Sequence, residues 1–209
     1  MNITWQNASV LQYIVCIIAA YLIGNIPTGD LIGKHTGHNV RQEGSKNVGA
    51  TNVMRTAGVK WGLITFAGDF LKAYLAVLIP RLWVGQYSYC ALLCGLAVVA
   101  GHNWPVFFGF KGGKGISCTA GAACCIFLWQ GALCCGLFLV VMLTTKLVSL
   151  SSLLMVTLFF LLILFTAGFF PAGAWALILA VLAFWRHREN ITRLLNGTEN
   201  RIGHGKKNS

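Results

Sequence analysis

Long apolar runs are the feature that most constrains how this chain can fold. A helix crosses a bilayer core with about 20 apolar residues, or somewhat fewer where loops dip inward. Runs of that length can be drawn about seven times along the 209 residues, and 56% of the chain is hydrophobic. The sequence therefore predicts an all-α integral membrane protein with a single polytopic domain over residues 1–209. The predicted spans are 10–29, 61–80, 87–105, 115–131, 132–147, 150–169 and 171–186.

Two of these runs, 115–131 and 132–147, are short, and only Trp129-Gln130-Gly131 divides them. They are either two full spans or two re-entrant segments, and the second interpretation leaves five spans. A different break is expected inside span one, because Gly24-Asn25-Ile26-Pro27 contains a proline that interrupts a helix.

Lysine and arginine lie almost entirely on one side of the predicted topology. In short loops these residues stay on the cytoplasmic side. Seven spans place fourteen of the sixteen there, leaving Lys72 inside span two and Arg81 on the other face. We expect an outside N-terminus, a cytoplasmic C-terminus and a flexible basic tail over 200–209. The net charge of +11 does not indicate nucleic-acid binding, because the basic residues lie between apolar runs.

Thiol and charged groups inside the apolar runs need separate explanations. The eight cysteines fall in predicted spans without zinc-like spacing, so we interpret them as small buried hydrophobic residues. A disulfide frame or a metal site is the alternative. Asp69 and Lys72 stand three residues apart in span two and cannot face lipid cheaply, so we expect them to pair or to face a polar cavity. No metal and no cofactor is predicted.

Three polar segments lie on the predicted cytoplasmic side. The first, GSKNVGATNVMR over 44–55, combines small residues with hydroxyl, amide and guanidinium groups that can hold a phosphate. The second, GHNWPVFFGFKGGKG over 101–115, ends in a glycine-rich turn before an apolar helix, where backbone N–H groups and the helix N-terminus favour an anion. The third, RHRENITRLLNGTE over 186–199, continues the last span with basic and amide groups. Together they predict an anion-binding site at the cytoplasmic face.

Each segment alone also has a plainer interpretation. The first could be a solvated loop with a capping serine, the second an interfacial turn with snorkelling lysines, and the third a basic helix on anionic lipid. The second segment is not a Walker loop, because the four-residue spacer and the Lys-Ser/Thr pair are missing, so nucleotide hydrolysis is disfavoured.

In order and spacing, the three segments resemble the motifs of the bacterial acyl-phosphate:glycerol-3-phosphate acyltransferase family, GSxNVGATNVxR, GHxxPVFFGFKGGKG and RHRxNIxRLxxGxE. The resemblance covers nearly the whole chain. It implies a seven-helix enzyme of the cell inner membrane that moves a fatty acyl group from acyl phosphate to the 1-hydroxyl of glycerol 3-phosphate. The products are phosphate and lysophosphatidic acid, and the reaction is the first acylation step of phospholipid synthesis. Lys46 departs from the pattern, because it stands where glycine is usual.

Site residues follow from the same resemblance. It implies functional positions at Ser45, Thr51, Arg55, Lys114, His187 and Asn190, and a phosphate loop of Gly112, Gly113 and Gly115. From the polar character of the segments we add as substrate-binding candidates Asn52, His102, Lys111, Glu189 and Arg193. The candidate catalytic residues are Ser45, Lys114, His187 and Asn190. Basic side chains near helix N-termini can offset the repulsion between two phosphate dianions.

Proton transfer is expected to involve the substrate itself. The His-x4-Asp pair of acyltransferases that use acyl-coenzyme A or an acyl carrier is absent from this sequence. We therefore expect a substrate phosphate oxygen to act as general base, with Ser45 and Asn190 orienting the hydroxyl and His187 as the alternative base.

Acyl phosphate, glycerol 3-phosphate, the lipid bilayer and an enzyme that produces acyl phosphate are the expected partners. An organophosphate or phosphate transporter is the alternative function, and a lipid-binding scaffold is a second one. The charges disfavour transport, because they lie at one interface without an equivalent set across the bilayer.

Overall fold

The computed structural model describes residues 9–84 and 89–202, and each regular element in these ranges is helical. The elements are α1 (Val10–Gly24), α2 (Thr28–Thr36), α3 (Ala50–Thr56), α4 (Val59–Trp83), α5 (Tyr89–Asn103), α6 (Ile116–Ile126), α7 (Leu128–Thr145), α8 (Val148–Ala167), α9 (Ala174–Arg186) and α10 (Arg188–Leu195). A 3-10 turn at Val106–Phe108 follows α5, and a π-helical turn at Phe169–Gly173 joins α8 to α9. The predicted all-α class is confirmed for the described residues, as is the break in span one between Gly24 and Thr28.

Six stretches of the described chain are long and apolar enough to cross a membrane. They are Val10–Thr36, Val59–Trp83, Tyr89–Phe108, Leu128–Thr145, Val148–Ala167 and Phe169–Arg186. The predicted span 115–131 differs, because the helix there, α6, has only 11 residues and ends before Phe127. At ~1.5 Å per residue such a helix covers about half of a bilayer core. Seven complete spans, and the side on which each terminus lies, stay predictions.

Close helix packing brings α1 and α5 together. A Cβ on Gly24 would lie 2.3 Å from the carbonyl oxygen of Val98, and one on Gly101 would lie 2.1 Å from that of Tyr21. Small residues let helix backbones approach in this way, which membrane helices need because lipid is as apolar as their own side chains. On the outside, large apolar side chains such as Phe165, which is 82% exposed, form the surface that suits lipid.

Two charged residues inside α4, Asp69 and Lys72, are paired as predicted. Lys72 Nζ lies 2.7 Å from Asp69 Oδ1, and both side chains are buried within α4. The eight cysteines are all free, and all except Cys135 are buried, which supports their interpretation as small packing residues.

The first residues of the predicted tail contact the helical body. Ile202 donates its backbone N–H to the Lys146 carbonyl at 2.9 Å, and Arg55 Nη2 donates to the Asn200 carbonyl at 3.2 Å. Residues 203–209, with Lys206 and Lys207, lie outside the described residues. The segment 198–202 therefore runs back across the ends of α3 and α7.

Candidate active site

A cavity of about 470 Å³ lies where the ends of several helices meet, within the range of ~300–1,000 Å³ typical of ligand sites. Its walls come from α3, α4, α5, α6, α7, α8 and α10, from the loops before α3 and α6, and from the segment after α10. One end is polar and the other is apolar. Ten of the fourteen predicted site residues line the cavity, namely Ser45, Thr51, Asn52, Arg55, His102, Lys114, Gly115, His187, Asn190 and Arg193. The other four, Lys111, Gly112, Gly113 and Glu189, are outside its lining.

The loop that carries Ser45 is held by a buried amide. Asn52 Oδ1 accepts the backbone N–H of Ser45 at 2.7 Å, while its Nδ2 donates to the carbonyls of Val40 and Glu43 at 2.8 and 3.1 Å. The Asn52 side chain thus makes its hydrogen bonds to the loop. We assign it to positioning Ser45 rather than to binding substrate. Lys46 has φ of 59°, which explains why glycine suits this position, since glycine enters the left-handed region without steric cost.

The glycine-rich loop packs directly against His102. Gly113 N–H donates to the His102 carbonyl at 3.0 Å, and a Cβ on Gly113 would lie only 2.1 Å from His102 Nε2. From the other side, Arg186 Nη2 donates to the carbonyls of Gly112 and Gly113 at 2.9 and 2.6 Å. Since those carbonyl oxygens are bound by a cation, they are turned away from any anion on the loop. Gly112 and Gly113 therefore shape the loop rather than line the cavity.

The loop ends beside a helix N-terminus. Gly115 has φ of 79° and directly precedes α6, whose first turn carries the partial positive charge of the helix. The side chain of Lys114 reaches into the cavity from this point. Lys111 differs from Lys114, because it is exposed and its hydrogen bonds are made by its backbone. Its carbonyl accepts from Arg41 Nη1 at 2.6 Å, and its N–H donates to the Phe108 carbonyl at 3.2 Å. Lys111, a predicted substrate-binding residue, thus lies outside the cavity lining.

A chain of hydrogen bonds joins the second and third segments. Lys114 Nζ donates to Asn190 Oδ1, Asn190 Nδ2 donates to Glu199 Oε1 at 2.8 Å, and Arg193 Nε donates to Glu199 Oε2 at 2.8 Å. The Glu199 side chain is 5% exposed. Glu189, a predicted substrate-binding residue, is instead exposed on α10. Glu199 therefore balances one of the three lining cations Arg55, Lys114 and Arg193.

Burial lowers the pKa of two ionisable groups at this end of the cavity. It lowers the pKa of Lys114 to about 8, with the neighbouring charge of Arg193 as the second cause. Burial, followed by the charge of Lys114, also lowers the pKa of His187 to about 4. His187 Nδ1 lies 2.7 Å from the carbonyl oxygen of Ala183, which can only accept, so Nδ1 carries the proton and Nε2 is the lone-pair nitrogen. His187 is thus a neutral hydrogen-bond acceptor at neutral pH.

The apolar end of the cavity is a groove between helices. Its lining residues follow each helix inward for about two turns, as in Ile116, Ala120 and Cys124 on α6. The other helices contribute Leu63, Phe66 and Phe70 from α4, Cys135, Phe138, Leu139 and Met142 from α7, and Val148 and Met155 from α8. Leu63 and Leu139 are also 56% and 51% exposed on the outside. The groove therefore opens sideways between α4 and α7.

One cluster in the described chain has ligand atoms spaced as for a metal ion, namely Asp69, His102 and Cys118. The ammonium of Lys72 already lies between two of them, 2.7 Å from Asp69 Oδ1 and 3.1 Å from His102 Nδ1. The ammonium of Lys72 thus occupies the position between these ligand atoms that a metal ion would need. The cluster therefore does not fit a metal site.

Sequence reasoning missed two contributions to the site. Arg186 was seen only as part of a basic segment, although its position immediately before His187 could have suggested a contact with the glycine loop. The groove residues carry no polar signal at all, because an i, i+4 row of apolar residues is common to every membrane helix.

The chain is similar to known proteins over nearly its whole length. The family model described as glycerol-3-phosphate acyltransferase matches residues 14–197. A glycerol-3-phosphate acyltransferase of Alkaliphilus metalliredigens is 45% identical over 192 residues, covering 91% of this chain and 96% of the relative. That of Aquifex aeolicus is 41% identical over 197 residues, covering 92% of this chain and 100% of the relative.

Two similar solved structures are of the integral membrane glycerol 3-phosphate acyltransferase PlsY. Its glycerol 3-phosphate form has a TM-score of 0.85 and 41% identity, covering 91% of this chain and 96% of that one. Its lysophosphatidic acid form has a TM-score of 0.83 and 40% identity, covering 91% of this chain and 95% of that one. Both similarities extend over nearly the whole fold.

Proposed function

This chain belongs to the glycerol-3-phosphate acyltransferase family, and from that membership we propose that it transfers a fatty acyl group from acyl phosphate to the 1-hydroxyl of glycerol 3-phosphate. The products are lysophosphatidic acid and inorganic phosphate. A single observation carries the proposal: one cavity joins a cluster of three cations to an apolar groove that opens toward lipid. A reaction between a small phosphate ester and a fatty acyl donor needs both surfaces to meet at one point.

The cationic end suits two phosphate groups. Arg55, Lys114 and Arg193 line it, and Glu199 cancels one of their charges within the free protein. Bringing two dianions together requires this excess of positive charge, because their mutual repulsion would otherwise oppose binding. We assign the guanidinium groups to bidentate phosphate contacts and Lys114, beside the N-terminus of α6, to a point-charge contact. Ser45 and Thr51 supply hydroxyl groups at the edge of the same cluster.

The apolar groove suits the acyl chain of the donor. A fatty acyl phosphate is dissolved in the membrane, so a route from the bilayer is shorter than one through water. The exposed lining residues Leu63 and Leu139 flank a sideways opening that supplies this route. The acyl carbonyl would then lie where the groove meets Lys114, with the donor phosphate at the cationic end.

The reaction balances without a cofactor. The 1-hydroxyl oxygen of glycerol 3-phosphate attacks the acyl carbonyl carbon, and the bond from that carbon to the phosphate oxygen breaks. Phosphate is a good leaving group, so the protein contributes mainly orientation and charge stabilisation. Lys114 donates to Asn190 Oδ1, and we assign both groups to contacts with the reacting atoms.

The proton of the attacking hydroxyl passes, in our proposal, to a substrate phosphate oxygen. A phosphate monoester has a second pKa of about 6, whereas burial lowers the pKa of His187 to about 4. The phosphate is therefore the stronger base of the two. His187 Nε2 remains suited to accept a hydrogen bond from the hydroxyl and so to orient it, because Nδ1–H is committed to Ala183.

Localisation in the cell inner membrane, with the cationic end facing the cytoplasm, is part of the same proposal. It rests on the asymmetry of lysine and arginine and on the supply of glycerol 3-phosphate from the cytoplasm. An enzyme that makes acyl phosphate must act before this one.

A coupled assay of the detergent-solubilised protein tests the function. Acyl phosphate and glycerol 3-phosphate are mixed with it, and inorganic phosphate and lysophosphatidic acid are quantified together. We expect equal amounts of both products, and no lysophosphatidic acid when acyl-coenzyme A replaces acyl phosphate. In reconstituted liposomes, uptake of labelled glycerol 3-phosphate without lysophosphatidic acid would instead identify a transporter.

A further inference from the structure

Three polar residues lie buried behind the glycine loop, and the reaction described above gives none of them a role. Asp69 and Lys72 belong to α4, whereas His102 lies near the end of α5. Their relative exposures are 1%, 7% and 9%, and both Asp69 and His102 reach the cavity lining. Burying an aspartate and a lysine at this depth is costly, so an arrangement of this kind calls for a function.

The ammonium group of Lys72 has three polar neighbours. Its Nζ lies 2.7 Å from Asp69 Oδ1, 2.7 Å from the carbonyl oxygen of Ile26, and 3.1 Å from His102 Nδ1. A charged lysine has three N–H donors and no acceptor. The contact with the Asp69 carboxylate favours this charged form. His102 Nδ1 must therefore accept a hydrogen bond from Lys72, which leaves the ring proton on Nε2.

His102 Nε2 faces the glycine loop. A Cβ on Gly113 would lie 2.1 Å from this nitrogen, so the ring edge rests against the loop at the residue before Lys114. The backbone holds the same contact, because Gly113 N–H donates to the His102 carbonyl at 3.0 Å. His102 also lines the cavity, so an N–H group on Nε2 lies beside both the glycine loop and the cavity.

We propose that Asp69 and Lys72 are positioning residues that hold His102 in the form protonated on Nε2, so that this N–H donates to a phosphate oxygen of the substrate. The inference deepens the proposed function, because it concerns the same phosphate site. Asp69 keeps Lys72 charged, Lys72 keeps Nδ1 unprotonated, and His102 delivers a fixed, uncharged donor. A neutral donor adds a contact to the phosphate without adding a fourth cation to a cluster that must also release its products.

Nitrogen-15 NMR of histidine-labelled protein in detergent tests the ring state directly. The His102 signals are assigned by their loss in His102→Gln. We expect the wild-type ring to be neutral with the proton on Nε2, and the double variant Asp69→Asn/Lys72→Met, in which the buried charges leave together, to show both neutral forms in exchange. A wild-type ring protonated on Nδ1 would overturn the proposal. This readout requires no enzyme activity, so it is separate from any failure of the acyltransferase assay.

Kinetics test whether the Nε2 donor contacts the phosphate. His102→Gln places an amide N–H near the position of Nε2, whereas His102→Leu places none. We expect the KM for glycerol 3-phosphate to rise about tenfold or more in the leucine variant, as for loss of a hydrogen bond to a charged group, with a much smaller change in kcat and partial recovery in the glutamine variant. The double variant should follow the leucine variant in direction. Equal KM values for the glutamine and leucine variants, or a loss in kcat alone, contradict the proposal.

Discussion

At its polar end the cavity is walled by loop and helix-end residues that hydrogen-bond one another, whereas at its apolar end it is walled by helix faces with few polar atoms. Asn52, Asn190 and Glu199 each make defined contacts that fix a neighbour in place. Residues such as Ala120 and Cys124 contribute only shape. Directional contacts fail abruptly when one partner is removed, while apolar contact changes in proportion to the area involved. The polar end should therefore respond to substitution by large losses and the groove by graded ones.

Removal of Lys114 should have the largest effect. Lys114→Ala deletes a cation that lines the cavity beside the N-terminus of α6 and leaves Asn190 Oδ1 without its donor. We expect kcat/KM to fall by ~10²–10³, as when a charge-stabilising group is lost from other active sites. Initial rates measured across glycerol 3-phosphate concentrations give this value.

Lys111→Ala is the matched control for Lys114→Ala. Lys111 stands three residues away but is exposed and outside the cavity lining. Its removal should change kcat/KM by less than about threefold, the scale of an exposed charge. Similar losses in the two variants would mean that the cationic cluster extends to the outer surface of the loop.

Arg186 should come next, because it shapes the polar end without lining it. Arg186→Met removes the hydrogen bonds that hold the carbonyls of Gly112 and Gly113. We expect a loss of about ten- to a hundredfold in kcat/KM, as when hydrogen bonds to a charged group are lost, expressed mainly as a raised KM for glycerol 3-phosphate. Arg188→Met is the control, since Arg188 is exposed and its guanidinium lies against Trp185. A normal KM in Arg186→Met would show that the loop holds its shape unaided.

The pH dependence should also arise from the polar end. Burial lowers the pKa of Lys114 to about 8 in the free protein, and only the protonated amine attracts a phosphate. Affinity is therefore complete below that value and is lost as pH rises through it, by about tenfold for each further pH unit. In a pH profile of kcat/KM this predicts a falling limb near pH 8, which Lys114→Arg should remove, because a guanidinium stays charged. Persistence of the limb in that variant would assign it to another group.

The contrast between the polar end and the apolar groove also explains which residues of the site could be predicted from the sequence. Polar residues in a membrane protein are rare enough to stand out, so ten of the fourteen predicted positions reach one cavity. Side-chain direction was beyond prediction, because Lys111 and Lys114 have the same chemistry and only the turn between them separates outside from inside. The end of α6 was missed for a related reason: the chain leaves helical geometry at Phe127, among apolar residues with no proline or glycine to mark the point. The predicted divider at 129–131 lies inside α7.

The groove should give the smallest and most selective effect. Cys124 on α6 and Met155 on α8 are the lining residues farthest along these helices from the polar end, and one turn beyond them the buried rings of Phe127 and Phe159 are 6.3 Å apart. Cys124→Phe should fill the inner groove, so that a long acyl chain loses apolar contact at about 0.8 kcal/mol per methylene that no longer fits. We expect kcat/KM for long-chain acyl phosphate to fall several-fold, with little change for a short chain. Leu133→Phe, on the exposed side of α7, should leave the ratio of the long-chain kcat/KM to the short-chain kcat/KM unaltered. An unchanged ratio in Cys124→Phe would mean that the chain leaves the groove sideways between α4 and α7 before it reaches Cys124, so that lipid, not protein, surrounds its far end.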